Sequence, residues 1–121
     1  MVIIDLPLAS EVLNLLDERS AEIVRSTSWA LVVLTRTDYG RDTSGWTQWW
    51  QKNGTRHRIE WLIDALMHDD AKIRREAGDE LKAITKEYFG YYDDLPKKER
   101  AKAQERYREW WESKGKARFR T

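Results

Sequence analysis

The chain has 121 residues and a mass of 14.4 kDa, the length of a single domain that can bury a core without disulfide or metal staples. It contains no cysteine, which excludes disulfides, cysteine-ligated metals and cysteine nucleophiles. Charged residues make up 36% of it, the mean hydropathy is −0.81, and no apolar run approaches the roughly 20 residues that span a bilayer, so we expect a soluble protein without membrane insertion.

The first half of the chain predicts three helices. Ser20 is suited to cap the second of them, whose residues 29–34 are apolar on nearly all sides. We expect this helix to be central, because an apolar surface all round requires several neighbours. Ser44 is predicted to cap a shorter third helix that Asn53 and Gly54 close. No long segment alternates polar and apolar residues, so no sheet is expected.

The second half predicts the same plan with clearer boundaries. Thr55 is predicted to cap a first helix and Asp70 a second one, and Gly90 is expected to end the second helix. Each helix carries an apolar stripe on one face, with members three or four residues apart. The stripes are Ile59, Leu62, Ile63, Leu66 and Met67 in the first helix and Ile73, Ala77, Leu81, Ile84 and Tyr88 in the second.

A third helix is predicted to begin near Asp94 and Pro96, since proline is tolerated in a first helical turn, and to stop at Gly115. Its buried face should contain Ala103, Tyr107, Trp110 and Trp111. Residues 97–121 hold ten lysines and arginines against four glutamates, although the whole chain carries a net charge of only +1. We expect a solvated basic helix with a flexible basic tail at 116–121.

The two halves of the chain resemble each other. A shift of 50 residues pairs Val12, Leu13 and Leu16 with Leu62, Ile63 and Leu66, and Tyr39-Gly40 with Phe89-Gly90. A shift of 61 residues pairs Trp46, Trp49, Trp50 and Gly54 with Tyr107, Trp110, Trp111 and Gly115. We infer one domain, 1–121, that contains a duplicated unit at about 8–54 and 55–115.

The seven tryptophans are the unusual feature of the composition. The aromatic residues of the third helices follow helical spacing in both units, which favours packing over partner contact or base stacking. Within each adjacent tryptophan pair we expect one buried ring and one half-exposed ring, because neighbouring side chains point about 100° apart. Gly78, beside Ala77, is expected to permit close approach of a neighbouring helix. The predicted structural residues are Trp46, Trp49, Trp50, Gly78, Tyr107, Trp110 and Trp111.

The sequence Asp-Ala-Lys-Ile-Arg-Arg-Glu-Ala at 70–77, followed by Leu81, resembles the second-helix signature of HEAT-like repeats. There a capping aspartate, an aliphatic–arginine pair and a small residue occur in this order. The first unit matches less closely, since Ser20 stands at the capping position and Ile23-Val24 replaces the aliphatic–arginine pair.

Aromatic segments follow both units, and they look like the tryptophan-rich tail after HEAT-like repeats of the PBS-lyase type in some bacterial proteins. These segments are residues 35–40 with 46–50 and residues 85–90 with 107–111. The resemblance implies an all-α fold, a short right-handed α-solenoid of two HEAT-like helical hairpins, each followed by an aromatic-rich third helix. It also implies a scaffold for protein–protein interaction rather than an enzyme.

The sequence contains no recognisable catalytic motif. His57 and His68 lie eleven residues apart on one predicted helix, about 16 Å along its axis, so they cannot share a metal ion. The acidic pairs 69–70 and 93–94 are typical of turns and caps. No glycine-rich phosphate loop is present, and nothing couples a serine to a histidine and a carboxylate. We expect no enzyme activity, no catalytic residue, no cofactor and no metal.

We therefore expect a non-catalytic interaction module that binds protein partners, within a larger assembly or as a homo-oligomer. Residues 1–8 lack the composition of a signal peptide, and we expect a cytoplasmic location. The predicted partner-binding residues form the polar stripe of one helix: Arg75, Asp79, Lys82 and Lys86. The alternative function is nucleic-acid binding through the basic C-terminal helix, for which we expect only weak, non-specific affinity. A third alternative is an enzyme on a helical-repeat scaffold.

Overall fold

The computed structural model describes residues 11–17 and 20–119. Within those residues every regular element is helical and no strand is present, which confirms the all-α prediction. The start of the first unit near residue 8 lies outside the described residues. The solenoid arrangement stays a prediction.

The described chain forms two compact units that divide after Arg56. The first unit contains α1 and α2, and the second contains α3, α4 and α5. The helices are α1 Ala21–Thr35, α2 Thr43–Asn53, α3 Arg58–Ala65, α4 Ala71–Thr85 and α5 Lys97–Trp110. A 3-10 turn at Leu15–Asp17 precedes α1, and a π-helical turn at Trp111–Gly115 and a last helical turn at Lys116–Arg118 follow α5.

Two of the predicted N-caps are confirmed. The Ser20 hydroxyl accepts a hydrogen bond from the Ile23 N–H (3.3 Å), and the Asp70 carboxylate accepts one from the Lys72 N–H (2.9 Å). Both residues have extended backbone angles, as an N-cap requires. Pro96 stands at the N-cap position of α5, in agreement with the expected start of that helix.

The other two predicted caps, Ser44 and Thr55, are wrong. Asp42 caps α2 by accepting from the Gly45 N–H (3.0 Å). His57 caps α3, where its Nδ1 accepts from the Ile59 N–H and its own N–H donates to the Glu60 carboxylate (both 3.1 Å). Each true cap lies two residues from the predicted one, and each has a side-chain acceptor that satisfies an otherwise unpaired N–H.

Helices α1 and α4 end in the same way. Thr35 and Thr85 donate their hydroxyls to the carbonyls four residues earlier (2.7 and 2.6 Å), and each hydroxyl also accepts the N–H two residues later. The next residue, Arg36 or Lys86, has a left-handed backbone with φ of 53° or 61°. The prediction that Gly90 ends the second helix of its unit is therefore wrong, because the reversal occurs at Lys86.

The core of the second unit follows the predicted stripes of its helices. Helix α3 packs against α4 and α5 and buries its apolar side chains against them. The exceptions are Met67, which lies beyond α3 and is only partly buried, and the far end of the α4 stripe, where Ile84 is 38% exposed and Tyr88 lies beyond the helix. The confirmed buried members are Ile59, Leu62, Ile63, Leu66, Ile73, Ala77, Leu81, Ala103, Tyr107, Trp110 and Trp111.

The first unit differs from its prediction. Its core contains Leu13, Leu16 and Trp46, with Leu31 packed against them. Residues 29–34 of α1 were expected to be central, but none of them is buried and Trp29 is 69% exposed. An apolar ring around the helix was a poor guide to burial, because the described neighbours cover only part of its circumference.

The C-terminal helix does not stop at Gly115. The backbone passes through the π-helical turn and continues to Arg118, although residues 116–118 were expected to belong to a flexible tail. A Cβ at Gly115 would lie 2.6 Å from the Trp110 ring, so the residue is a point of close approach and not a helix end.

Candidate functional site

Three of the four predicted partner-binding residues line one groove beside α4. Arg75, Asp79 and Lys82 lie on the exposed face of α4, opposite the buried stripe of Ile73, Ala77 and Leu81. Lys86 is exposed at the end of the helix but is not part of the groove lining. We call this cavity, about 80 Å³ in volume, the tyrosine groove; its lining is Arg75, Gly78, Asp79, Lys82, Tyr88, Tyr91, Tyr92, Asp93 and Tyr107.

The tyrosines come from the segment after α4 and were not predicted to contribute to a site. Tyr88 was expected in the buried stripe, yet it is 50% exposed, and Tyr92 is 58% exposed. Their rings meet edge to face with centroids 6.1 Å apart. The neighbouring Tyr92 side chain raises the pKa of Tyr88 above its usual value. The groove therefore presents two half-exposed aromatic rings held together in one arrangement.

Lys82 adds a cation to this arrangement. Its ammonium nitrogen lies 5.3 Å from the centroid of the Tyr88 ring. At this distance the negative face of the aromatic ring attracts the positive charge. The side chain thus contacts the aromatic wall of the groove and is held by it.

The floor of the groove is formed by two buried tyrosines whose hydroxyl groups are already used. The Tyr91 hydroxyl donates to the Leu66 carbonyl (2.6 Å) and the Tyr107 hydroxyl donates to the Glu87 carbonyl (3.2 Å). Burial raises the pKa of each phenol to about 12. Tyr91 and Tyr107 therefore position the groove and offer it mainly their rings.

Gly78 explains how Tyr91 reaches its position. A Cβ at Gly78 would lie 3.0 Å from two atoms of the Tyr91 ring, closer than ordinary van der Waals contact. The sequence predicted a close approach at this glycine, but by a neighbouring helix. The structure places a tyrosine from the following segment there instead.

Arginines fix the segment between α4 and α5. Arg74 donates to the carbonyls of His68 (2.8 Å), Asp69 (3.0 Å) and Asp93 (3.2 Å), so it joins the start of α4 to the far end of the segment. Arg106 donates to the Phe89 carbonyl (3.1 Å). These bonds tie the segment that carries the tyrosines to α4 and α5.

The aromatic residues of the third helices are buried, with one difference between the units. In the first unit Trp46 and Trp50 are buried and Trp49 is half-buried, in line with the expected split of a tryptophan pair. In the second unit Trp110 and Trp111 are both buried. The expected split is therefore wrong in the second unit, where the Trp111 ring packs on His57 (centroids 4.9 Å apart) and the Trp110 ring packs on Phe119 (6.3 Å).

Both histidine side chains accept a hydrogen bond from a backbone N–H group. His57 caps α3, and the His68 Nδ1 accepts from the Asp70 N–H (2.9 Å). Among residues 11–17 and 20–119, no group of three histidines or carboxylates is placed to hold a metal ion. None of the helices in this part of the chain has the length and apolar character needed to cross a membrane.

Comparison of the chain with protein-family models, with curated proteins and with solved structures found no match.

Proposed function

We propose that the chain is a non-catalytic protein-interaction module of the HEAT-like repeat type and that it binds its partner through the tyrosine groove. The observation that carries the proposal is the placement of half-exposed tyrosines beside unpaired charges on a preorganised surface. The side chains of Arg75 and Asp79 form no ion pair or hydrogen bond within the described residues. Tyrosine and arginine are enriched among the residues that dominate binding energy at protein interfaces.

The similar ends of α1 and α4 support the repeat part of the proposal. Both helices have 15 residues, begin at a side-chain cap and end at a threonine followed by a left-handed basic residue. Two repeats are fewer than such architectures usually need, so partner contacts would complete the stack. On this proposal the chain works in the cytoplasm, within a larger assembly or as a homo-oligomer.

The basic C-terminal region supports nucleic-acid binding less well. Its arginines are largely engaged inside the second unit: Arg100 donates to Leu95, Arg106 to Phe89 and Arg118 to Thr85, all through backbone carbonyls. Arg108 pairs with Asp64 (3.1 Å). Guanidinium groups bound to carbonyls are less available to neutralise phosphates, so we favour the interaction module.

Affinity capture from extract of the native cells tests the proposal. The full chain, a Tyr88→Ala/Tyr92→Ala variant and a Trp29→Ala variant serve as baits. Trp29 is the matched control, since it is an exposed aromatic residue outside the groove. We expect partners retained by the full chain and by Trp29→Ala to be lost from the tyrosine variant.

Circular dichroism should show that all three baits are folded, because the substituted side chains are largely exposed. Equal capture by the full chain and the tyrosine variant would contradict the groove as the binding site. Loss of capture with Trp29→Ala alone would place the partner on the first unit instead.

A further inference from the structure

The aromatic wall of the tyrosine groove already holds a cation. The Lys82 ammonium lies 5.3 Å from the Tyr88 centroid, and the Tyr92 ring meets Tyr88 at an interplanar angle of 77°. Two nearly perpendicular rings form a corner in which at least one face is available to a positive group. An anion would be repelled by the same faces.

The groove also contains two carboxylates that lack a partner. The side chains of Asp79 and Asp93 form no ion pair and accept no hydrogen bond within residues 11–17 and 20–119; Asp93 takes part only through its backbone carbonyl. The charged groups of the lining are these two carboxylates, Arg75 and Lys82. If Lys82 moves aside into solvent, the remaining lining carries one net negative charge.

From these contacts we propose that the groove binds an arginine side chain of a partner protein, which takes the place of the Lys82 ammonium against Tyr88. A guanidinium is planar and weakly hydrated, so it stacks on aromatic faces and pairs with a carboxylate in the same pose. Asp79 and Asp93 supply the carboxylates for this pairing. The inference rests on the proposed function and identifies the chemistry of its partner.

Lys82 then acts as an internal competitor, which gives the proposal two predictions of opposite sign. Removing the lysine charge should free the ring face and strengthen arginine binding. Removing the Asp79 charge should weaken it. If the groove bound an anion instead, removing the lysine charge would weaken binding and removing the Asp79 charge would strengthen it.

The test is a nuclear magnetic resonance titration of the full chain, with the tyrosine ring signals as the readout. The probes are blocked amides of arginine, of citrulline as its uncharged isostere, and of glutamate, at constant ionic strength. The variants are Lys82→Met and Asp79→Asn. Lys114→Met is the matched control, because Lys114 is an exposed lysine outside the groove.

We expect the arginine probe to shift the Tyr88 and Tyr92 signals and the citrulline probe to bind at least about threefold more weakly. Lys82→Met should tighten arginine binding by about two- to fivefold, Asp79→Asn should weaken it by a similar factor, and Lys114→Met should leave it unchanged. Thermal melting of the variants checks that the fold is retained.

Tighter binding of glutamate than of arginine, with Lys82→Met weakening it, would overturn the proposal. Absence of any tyrosine shift with the arginine probe would also overturn it. In both cases the interaction function would still stand if the captured partner depends on Tyr88 and Tyr92, so the two failures are distinguishable.

Discussion

Helices α1 and α4 have the same length and the same C-terminal geometry, but they differ in how they bury their apolar residues. Both run for 15 residues and both end at a threonine before a left-handed basic residue. Helix α4 buries one continuous stripe, whereas the apolar residues 29–34 of α1 stay partly or largely exposed. Burial therefore follows the angular distribution of apolar side chains around the helix, and not their number.

The segments that follow these helices differ as well. After α1 the chain reaches Asp42, the cap of α2, within a few residues, and Tyr39 packs edge to face on Trp46 (5.3 Å). After α4 the longer segment folds back, places Tyr91 on Gly78 and opens the tyrosine groove. The extra length adds the tyrosine groove to an otherwise similar plan.

The largest expected effect in the second unit comes from Trp110→Ala. The buried ring contacts Phe89 and Phe119, with centroids 6.4 and 6.3 Å away, and covers Gly115. Its loss should destabilise the protein by about 3–5 kcal/mol. This is a large part of the free energy of unfolding of a typical domain, which is roughly 5–15 kcal/mol. Chemical denaturation measures the change. A midpoint equal to that of the unsubstituted chain would show that the ring does not support the unit.

Gly78→Leu should cost more than about 1 kcal/mol, because the side chain would overpack against Tyr91. Gly78→Ala provides the sharper test, since alanine is favoured over glycine by about 1 kcal/mol in an open helix. We expect no such gain here, because the hydrogen bond from Tyr91 to Leu66 holds the ring in place.

In a Tyr91→Ala background the same Gly78→Ala substitution should become stabilising, and a double-mutant cycle by thermal melting measures this coupling. Additive effects of the two substitutions would contradict the proposed contact.

Alkaline pH should weaken the second unit through its buried phenols. The pKa of Tyr91 and of Tyr107 is raised from 10.0 to about 12. The unfolded chain loses these protons first, so the stability they contribute is complete below pH 10 and is lost as the pH rises towards 12. Denaturation between pH 8 and 11.5 should show this decline. Tyr91→Phe should make it shallower, and an unchanged slope would argue against burial of that phenol.

Acid should act on the cap of α3. Burial lowers the pKa of His57 below 6.5, and the Phe119 backbone and the Glu60 carboxylate only partly oppose this shift. As the pH falls below 6.5 the unfolded chain takes up the proton first, so stability is lost as the pH falls towards the folded-state pKa. His57→Asn keeps a capping acceptor and should flatten the profile between pH 8 and 5. His68→Asn is the control, and an equal slope in both variants would contradict this role.

The smallest effect is expected for Trp29→Ala in the first unit. An indole that is 69% exposed contributes little packing, so the free energy of unfolding should change by less than about 0.5 kcal/mol. Comparison with Trp110→Ala by the same denaturation assay separates a surface tryptophan from a structural one. A decrease of several kcal/mol in the free energy of unfolding would instead support the prediction from the sequence that α1 is a central helix.

Local chemistry made part of this fold predictable. Ser20 and Asp70 could be identified as caps because the bonds they form reach only two or three residues along the chain. Ser44 and Thr55 were wrong because a second capping residue lies within two positions of each and sequence propensity does not choose between them. Helical spacing alone brought Arg75, Asp79 and Lys82 to one face.

The tyrosine half of the groove could not be predicted in this way. It depends on the bond from Tyr91 to Leu66, 25 residues apart, and on the bond from Arg74 to Asp93, 19 residues apart. Pairings over such distances leave no periodic signal in a single sequence. The available signal was compositional: three tyrosines within five residues, next to two aspartates.

The end of the described chain is tied to the groove region. Arg118 donates to the Thr85 carbonyl (2.8 Å) at the last turn of α4 and lies 3.8 Å from the Glu87 carboxylate. The segment that begins there is thus clamped at one end by Arg118 and at the other by Arg74. Loss of the Arg118 side chain would release the first clamp and leave the segment held by the Arg74 bonds to His68, Asp69 and Asp93.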